Sequence, residues 1–173
     1  ADKEKLFLAN TNPAVENLRR RVTAPKSEFR TIASQSAQPR GNFELLIIDE
    51  CSTVSNSDLL KIINCTNFNL LVLVGDVYQI EAIRFGNWFN IVRSYIPQAS
   101  VFELTTPFRT SEQSLIDFWS KVRSLDDTIP ETIARNHYST NLDATLFENH
   151  SPKDVILALN YDGLYGINNI NRL

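Results

Sequence analysis

The amino-acid sequence predicts an α/β fold, in which a parallel β-sheet is flanked by helices. Two observations lead to this fold class. Short apolar runs of strand length alternate along the chain with segments of helical periodicity. Several of these runs are apolar at successive positions, which is typical of parallel strands that are covered by helices on both faces.

Five runs are predicted to be strands, because each has the length of a strand and is rich in β-branched or other apolar side chains. In chain order they are LFLA (6–9), LLIID (45–49), LLVLVGD (70–76), VFEL (101–104) and VILAL (155–159). Helical segments lie between them, as the crossover connections of a parallel sheet require.

The helices are predicted from their start signals. Asn12 can cap a first helix, and Pro13 suits the first turn of that helix. Ser55 can cap a second helix, which carries apolar residues at helical spacing. Thr110 and Gln113 match a capping box at the start of a third helix.

The composition is that of an ordinary soluble protein, with 43% apolar and 21% charged residues. No run approaches the roughly 18 apolar residues that span a bilayer, and no signal-peptide pattern opens the chain. We therefore expect a cytoplasmic protein with no membrane partner. Cys51 and Cys65 lack the spacing of metal ligands, so neither a zinc site nor a disulfide framework is expected.

The net charge of −3 is unevenly distributed along the chain. Residues 1–40 carry a net charge of +4, and the remaining residues carry −7. Any contact with nucleic acid is therefore expected in the N-terminal part. A solvated charged face explains the same asymmetry equally well.

Two adjacent acids, Asp49 and Glu50, follow a run that is predicted to be a buried strand. Ligands of open parallel sheets bind beyond the carboxyl ends of the strands. One carboxylate there could hold Mg²⁺, while its neighbour polarises an attacking water. The pair therefore favours a nucleoside triphosphatase, with ordinary surface acids as the alternative.

The next strand-like run ends on Gly75 and Asp76, and Gln79 follows three residues later. Glycine permits a close backbone approach, and an amide can both donate to and accept from a terminal phosphate or its water. Arg109 follows the fourth run, and its guanidinium fork matches phosphate oxygens. The alternatives are a Gly-Asp turn with an incidental glutamine and an exposed loop arginine.

Aromatic residues in two places could stack on bases. Trp88 and Phe89 have helical spacing with the apolar residues that follow, so we expect them in the core. Tyr161 and Tyr165 lie beside glycines, and we expect them to be exposed.

Taken together, the motifs resemble those of superfamily 1 DNA/RNA helicases, and most of all the RecD-like branch of exonuclease V alpha-subunit type. IIDE (47–50), VGDVYQ (74–79) and LTTPFRT (104–110) are similar, in this order, to motifs II, III and IV of that family. The stretches 6–22 and 29–37 are similar to motif Ia and the motif after it, and 155–173 is similar to the start of a second domain.

The resemblance implies a RecA-like fold of the P-loop NTPase class, with ATP and Mg²⁺ as cofactors. It makes Asp49 the Mg²⁺ ligand, Glu50 the activator of the hydrolytic water and Arg109 an arginine finger. It makes Gln79 the residue that couples the γ-phosphate to the nucleic-acid site, with Gly75 and Asp76 at the cofactor.

The partner that the resemblance implies is single-stranded nucleic acid, with DNA favoured over RNA. Thr11, Asn12, Thr31 and Ser34 are the residues that it places at the backbone phosphates. Such contacts position a strand without reading its sequence. Helix caps and turns use the same residue types, so a purely structural role stays open.

One family motif is missing, since no G-x-x-x-x-G-K-[ST] loop occurs in the sequence. We therefore expect a fragment truncated at both ends, inactive by itself. Its parts would be a first RecA-like domain without the Walker A loop (1–125), a connecting segment (126–153) and the start of a second RecA-like domain (154–173). The intact protein would be an ATP-dependent helicase or translocase. The alternative is a non-catalytic P-loop-like scaffold or a nucleic-acid-binding module.

Overall fold

The computed structural model describes residues 3–79, 86–108, 110–143 and 155–172. The chain forms two compact units, Ala1–Thr105 and Thr106–Leu173. The strands are β1 (Lys5–Ala9), β2 (Ser27–Thr31), β3 (Asn42–Ile48) and β4 (Asn67–Leu73). The helices are α1 (Asn12–Arg21), α2 (Ile32–Ala37), α3 (Asn56–Cys65), α4 (Trp88–Val92), α5 (Gln113–Ser124), α6 (Ile129–Arg135) and α7 (Ile167–Ile170), and short 3₁₀ turns lie at Cys51–Thr53 and Gln98–Ser100.

The first unit is built on a four-stranded sheet in the order β2-β1-β3-β4, and all of its pairings are parallel. The chain passes from β1 outward to β2, then crosses back to β3 and continues to β4. The predicted α/β class with a parallel sheet is therefore confirmed. Because every pairing is parallel, the carboxyl ends of all four strands lie along one edge of the sheet.

The core lies on the face of the sheet that α2 and α3 cover. Alternate strand residues point to this face, as the period of a strand requires. They are joined by apolar residues from the two helices. The buried set is Leu6, Leu8, Leu46 and Ile48 from β1 and β3, with Ile32 from α2 and Ile62 from α3. A slip of one residue in either strand would turn these side chains to the other face, so the core fixes the register.

Helix α1 covers the opposite face over β1 and β2. There the rings of Phe7 and Phe29 stack with centroids 5.0 Å apart, and the Arg19 guanidinium lies 6.0 Å from the Phe29 ring centroid. The sheet thus has helices on both faces, as the apolar runs predicted.

Two predicted strands are wrong. The runs 6–9, 45–49 and 70–76 correspond to β1, β3 and β4, but 101–104 and 155–159 form no strand in the structure. An apolar run becomes a strand only where a neighbour satisfies its backbone groups. Within the described ranges, the outer edge of β4 has no such neighbour.

The predicted helix starts are partly confirmed. Ser55 caps α3, its Oγ accepting from the Asp58 amide at 3.2 Å. Thr11, one residue before the predicted Asn12, caps α1. The capping box at Thr110 is wrong, because Thr110 Oγ1 accepts from the amide of Glu112 at 3.1 Å and α5 begins only at Gln113. A hydroxyl that bonds two residues ahead makes a local turn instead of a cap.

The second unit contains α5, α6 and α7. Lys121 of α5 donates to Thr128 Oγ1 at 3.1 Å and to Thr132 Oγ1 at 2.9 Å, which ties α5 to α6. The ring of Phe118 meets that of Tyr138 edge-on at 5.3 Å. In the parts of the chain that the structure describes, no helix has the length and apolar character needed to cross a membrane.

Candidate active site

The tips of three strands are joined by backbone hydrogen bonds that continue past the sheet. The Asp49 amide donates to the Leu8 carbonyl at 2.9 Å. On the other side, the Val74 amide donates to the Ile48 carbonyl at 2.9 Å, and the Cys51 amide donates to the Val74 carbonyl at 2.8 Å. The segments that follow β1, β3 and β4 therefore lie side by side at the carboxyl edge.

The sheet reverses its winding between β1 and β3, since β1 leads outward to β2 and β3 leads outward to β4. In open α/β sheets, a crevice forms at such a switch point, outside the carboxyl ends of the two strands. Asn10 follows β1 and Asp49 follows β3 at this position. Asn10 Nδ2 donates to the Thr53 carbonyl at 3.2 Å, which links the two loops.

Residues 49–53, which we name the acidic turn, hold Glu50 in an unusual backbone conformation. Glu50 has φ 53° and ψ 41°, in the left-handed region. The Glu50 amide donates to Asp49 Oδ1 at 3.0 Å, and Thr53 Oγ1 donates to the Glu50 carbonyl at 2.8 Å. A residue with a Cβ pays about 1–2 kcal/mol for this conformation, and such outliers cluster at functional sites.

The two acids differ in their exposure. Asp49 is half-buried, whereas Glu50 is exposed. Their oxygens offer the hard ligands that Mg²⁺ prefers. Among the described residues, no group of three or more His, Cys, Asp or Glu side chains could enclose a metal ion.

Cys51, within the acidic turn, is a core residue. Its side chain is fully buried, and its Sγ lies 3.0 Å from the Ile48 carbonyl. Burial raises the pKa of the Cys51 thiol to about 12. Since the thiolate is the nucleophilic form, Cys51 contributes packing and no chemistry at neutral pH.

The loop after β4, residues 75–79, forms a compact turn. The Tyr78 amide donates to Asp76 Oδ1 at 3.0 Å, and the Gln79 amide donates to the Asp76 carbonyl at 3.2 Å. A Cβ added at Gly75 would lie 2.8 Å from Cε1 of Phe89 and 3.1 Å from the amide nitrogen of Ser52. The close approach predicted at Gly75 is thus made by other parts of this chain.

The four residues predicted at nucleic acid lie where β1 and β2 run into helices. Thr11 caps α1 and accepts from the Ala14 amide at 3.4 Å, and Thr31 caps α2 and accepts from the Ser34 amide at 3.1 Å. Asn12 and Ser34 are exposed in the first turns of these helices. The capping alternative therefore holds for both threonines, although a capping hydroxyl keeps a proton to donate.

The predicted site residues are thus brought together in part. Asp49, Glu50, Gly75, Asp76 and Gln79 lie on adjacent tips, and the four polar candidates above lie on the same edge. Arg109 lies outside the described residues, so its position stays a prediction. Asn10 also lies at this edge but was not predicted, since its only signal in the sequence is its place directly after the first strand.

Residues 2–140 match the family of AAA domains. The chain belongs to the AAA domain family. None of the curated proteins with which this AAA domain was compared matches it. Among solved structures, it is similar to a crystal structure of Pif1 helicase from Bacteroides in complex with ADP-AlF3 and ssDNA, with a TM-score of 0.57 and 17% identity.

The alignment with the Pif1 helicase covers 88% of this chain and 43% of the helicase chain. This AAA domain therefore spans less than half the length of that protein. The likeness agrees with the RecA-like α/β fold that the motifs implied. It does not single out the RecD-like branch, which stays a prediction.

Proposed function

We propose that this chain is part of an ATP-dependent superfamily 1 helicase or translocase of RecD-like type, which acts in the cytoplasm on single-stranded nucleic acid, with DNA favoured over RNA. The observation that carries the proposal is the position of Asp49 and Glu50 at the switch point of a parallel sheet, beside the loop 75–79. Residues 1–125 would be the first RecA-like domain, 126–153 a connection and 154–173 the start of the second.

The residues at the carboxyl edge fit a nucleotide with its Mg²⁺. Asp49 would hold the metal, and Glu50, which is exposed one residue further, would accept a proton from the attacking water. Gln79 would sense the terminal phosphate from the neighbouring tip, and Arg109 would neutralise developing charge. When bound, Mg²⁺ supplies charge neutralisation at the phosphate oxygens. The ADP-AlF3 in the Pif1 helicase structure supports a nucleotide at this fold.

Three observations support single-stranded nucleic acid as the partner. Thr11 and Thr31 stand at helix starts on the carboxyl edge, where amide groups and hydroxyls suit phosphate oxygens. Residues 1–40, which contain both, carry the positive part of the charge asymmetry. The Pif1 helicase structure contains ssDNA.

The test is the ATPase activity of the full-length protein with and without single-stranded DNA. We expect DNA to stimulate turnover, and Glu50→Gln to lower kcat by at least about 100-fold, because it removes the general base. Glu44→Gln is the matched control, since Glu44 lies on β3 toward the opposite edge of the sheet. If the wild type shows no turnover, the scaffold or nucleic-acid-binding alternative is supported instead. If Glu50→Gln is as active as the wild type, Glu50 is not the general base and the proposed site is wrong.

A further inference from the structure

A short segment after the loop 75–79 lies against both halves of the candidate site. We name residues 86–89 the strap. Trp88 Nε1 donates to the Val54 carbonyl at 2.7 Å, and Val54 directly follows the acidic turn. A Cβ added at Gly86 would lie 2.9 Å from the Ser55 Cα and 3.1 Å from the Val54 carbonyl oxygen. The strap is therefore in direct contact with the backbone that leaves the acidic turn.

The other end of the strap contacts the tip of β4. The ring of Phe89 occupies the space beside Gly75, where a Cβ would meet it at 2.8 Å. The Trp88 and Phe89 rings meet edge-on, with centroids 5.7 Å apart and an interplanar angle of 80°. A displacement of one ring therefore displaces the other, because close-packed side chains have no free volume between them.

Two backbone contacts also join the acidic turn to the end of β4 and the loop 75–79. The backbone bond from Cys51 to Val74 is one, and the approach of the Ser52 amide to Gly75 is another. Ser52 is only 7% exposed, and its Oγ has no hydrogen-bond partner within the described ranges. The side chain of Ser52 therefore adds no bond to hold the two segments together.

Trp88 itself is turned inward. Its side chain is half-buried and packs against the core cluster. Its indole N–H donates to the Val54 carbonyl. The core interpretation of Trp88 and Phe89 is confirmed, and base stacking by Trp88 is disfavoured.

We propose that Trp88 is a positioning residue, which holds the acidic turn and the loop 75–79 in one geometry through Val54 and Gly75. The catalytic consequence rests on the proposed function. Glu50 and Gln79 would act on the same water and phosphate from two separate loops, and displacements of about 1 Å are costly to such reactions. The strap makes the two loops move as one body.

The test compares Trp88→Phe with the wild type, since phenylalanine keeps an aromatic ring but cannot donate to Val54. Trp119→Phe, at the half-exposed second tryptophan on α5, is the matched control. Amide hydrogen exchange is measured over residues 49–54 and 74–79, with β2 as an internal reference. In parallel, kcat and KM for ATP are measured on the full-length protein with single-stranded DNA.

We expect exchange to rise by about five- to tenfold in both loops and to stay unchanged in β2, because one net hydrogen bond is worth a ratio of that size. We expect kcat to fall by a similar factor with KM unchanged, since the interaction acts on geometry and not on nucleotide binding. Trp119→Phe should match the wild type in every measurement.

Unchanged exchange in either loop overturns the proposal. So does a uniform rise that includes β2, because that pattern reports general destabilisation. A normal kcat despite loosened loops also contradicts it. If the wild type does not hydrolyse ATP, the proposed function fails, and the exchange pattern alone then decides whether Trp88 positions the two loops.

Discussion

The amide of Cys51 donates a 2.8 Å hydrogen bond to the carbonyl of Val74, beyond the last paired residues of β3 and β4. This bond extends the contact between the two strands into the segments that carry the candidate catalytic residues. It fixes the acidic turn beside Gly75, and the geometry of the site therefore depends on close packing at that glycine.

Replacement of Gly75 by alanine should destabilise the first unit by about 1–3 kcal/mol, because the new Cβ must displace the Phe89 ring. The measurement is urea unfolding followed by Trp88 fluorescence in a Trp119→Phe background. Adding Phe89→Ala should reduce the penalty of Gly75→Ala, since the ring is then absent. Strictly additive effects of the two substitutions would show that the close approach carries no energy.

Glu50 has a left-handed backbone conformation, so we expect that the side chain needed for function lowers the stability of the fold at this residue. Glu50→Gly should be more stable than Glu50→Ala by about 1 kcal/mol, because only glycine adopts this conformation without a steric penalty. Both variants should lose ATP hydrolysis in the full-length protein. Equal unfolding free energies for the two variants would mean that the turn relaxes at no cost.

The Cys51 thiol predicts a loss of stability at alkaline pH. Burial raises its pKa from the model-compound value of 9.0 to about 12, so the unfolded chain ionises first as the pH rises. Its contribution is constant below pH 9 and then falls by about 1.4 kcal/mol per pH unit until pH 12. The measurement is the free energy of unfolding against pH for the wild type and for Cys51→Ala.

Cys51→Ala should lower stability at neutral pH but remove this alkaline decrease, whereas Cys65→Ala should retain it. Cys65 is only partly buried, which makes it the matched control. If the wild type and Cys51→Ala lose stability in parallel above pH 9, the thiol is accessible to ionisation in the folded state.

The sequence predicted β1, β3 and β4 because each contains a strand-length run of apolar side chains. It missed β2, whose SEFRT sequence is polar and only half-buried at the edge of the sheet. The run 101–104 has the length and side-chain content of a strand, but it forms none. Strand formation depends on a pairing partner that a local pattern does not report.

The part of the candidate site that lies next to a strand in the sequence could be predicted, since Asp49 and Glu50 directly follow a buried strand. Its supporting contacts could not. The bond between Trp88 and Val54 joins residues 34 positions apart, and no periodicity encodes it. The cap at Thr11 was placed on Asn12 because adjacent residues of both types can cap a helix.

Under the proposed function, Asp49 holds the metal of a nucleotide at the carboxyl edge of the sheet. The most direct test is binding of Mn²⁺ in the presence of ATP, measured by electron paramagnetic resonance on the full-length protein, since Mn²⁺ accepts the same oxygen ligands. Asp49→Asn should weaken this binding by at least about tenfold, and Asp117→Asn, at an exposed residue of α5, should leave it unchanged. Equal Mn²⁺ affinity in Asp49→Asn and the wild type would contradict the claim.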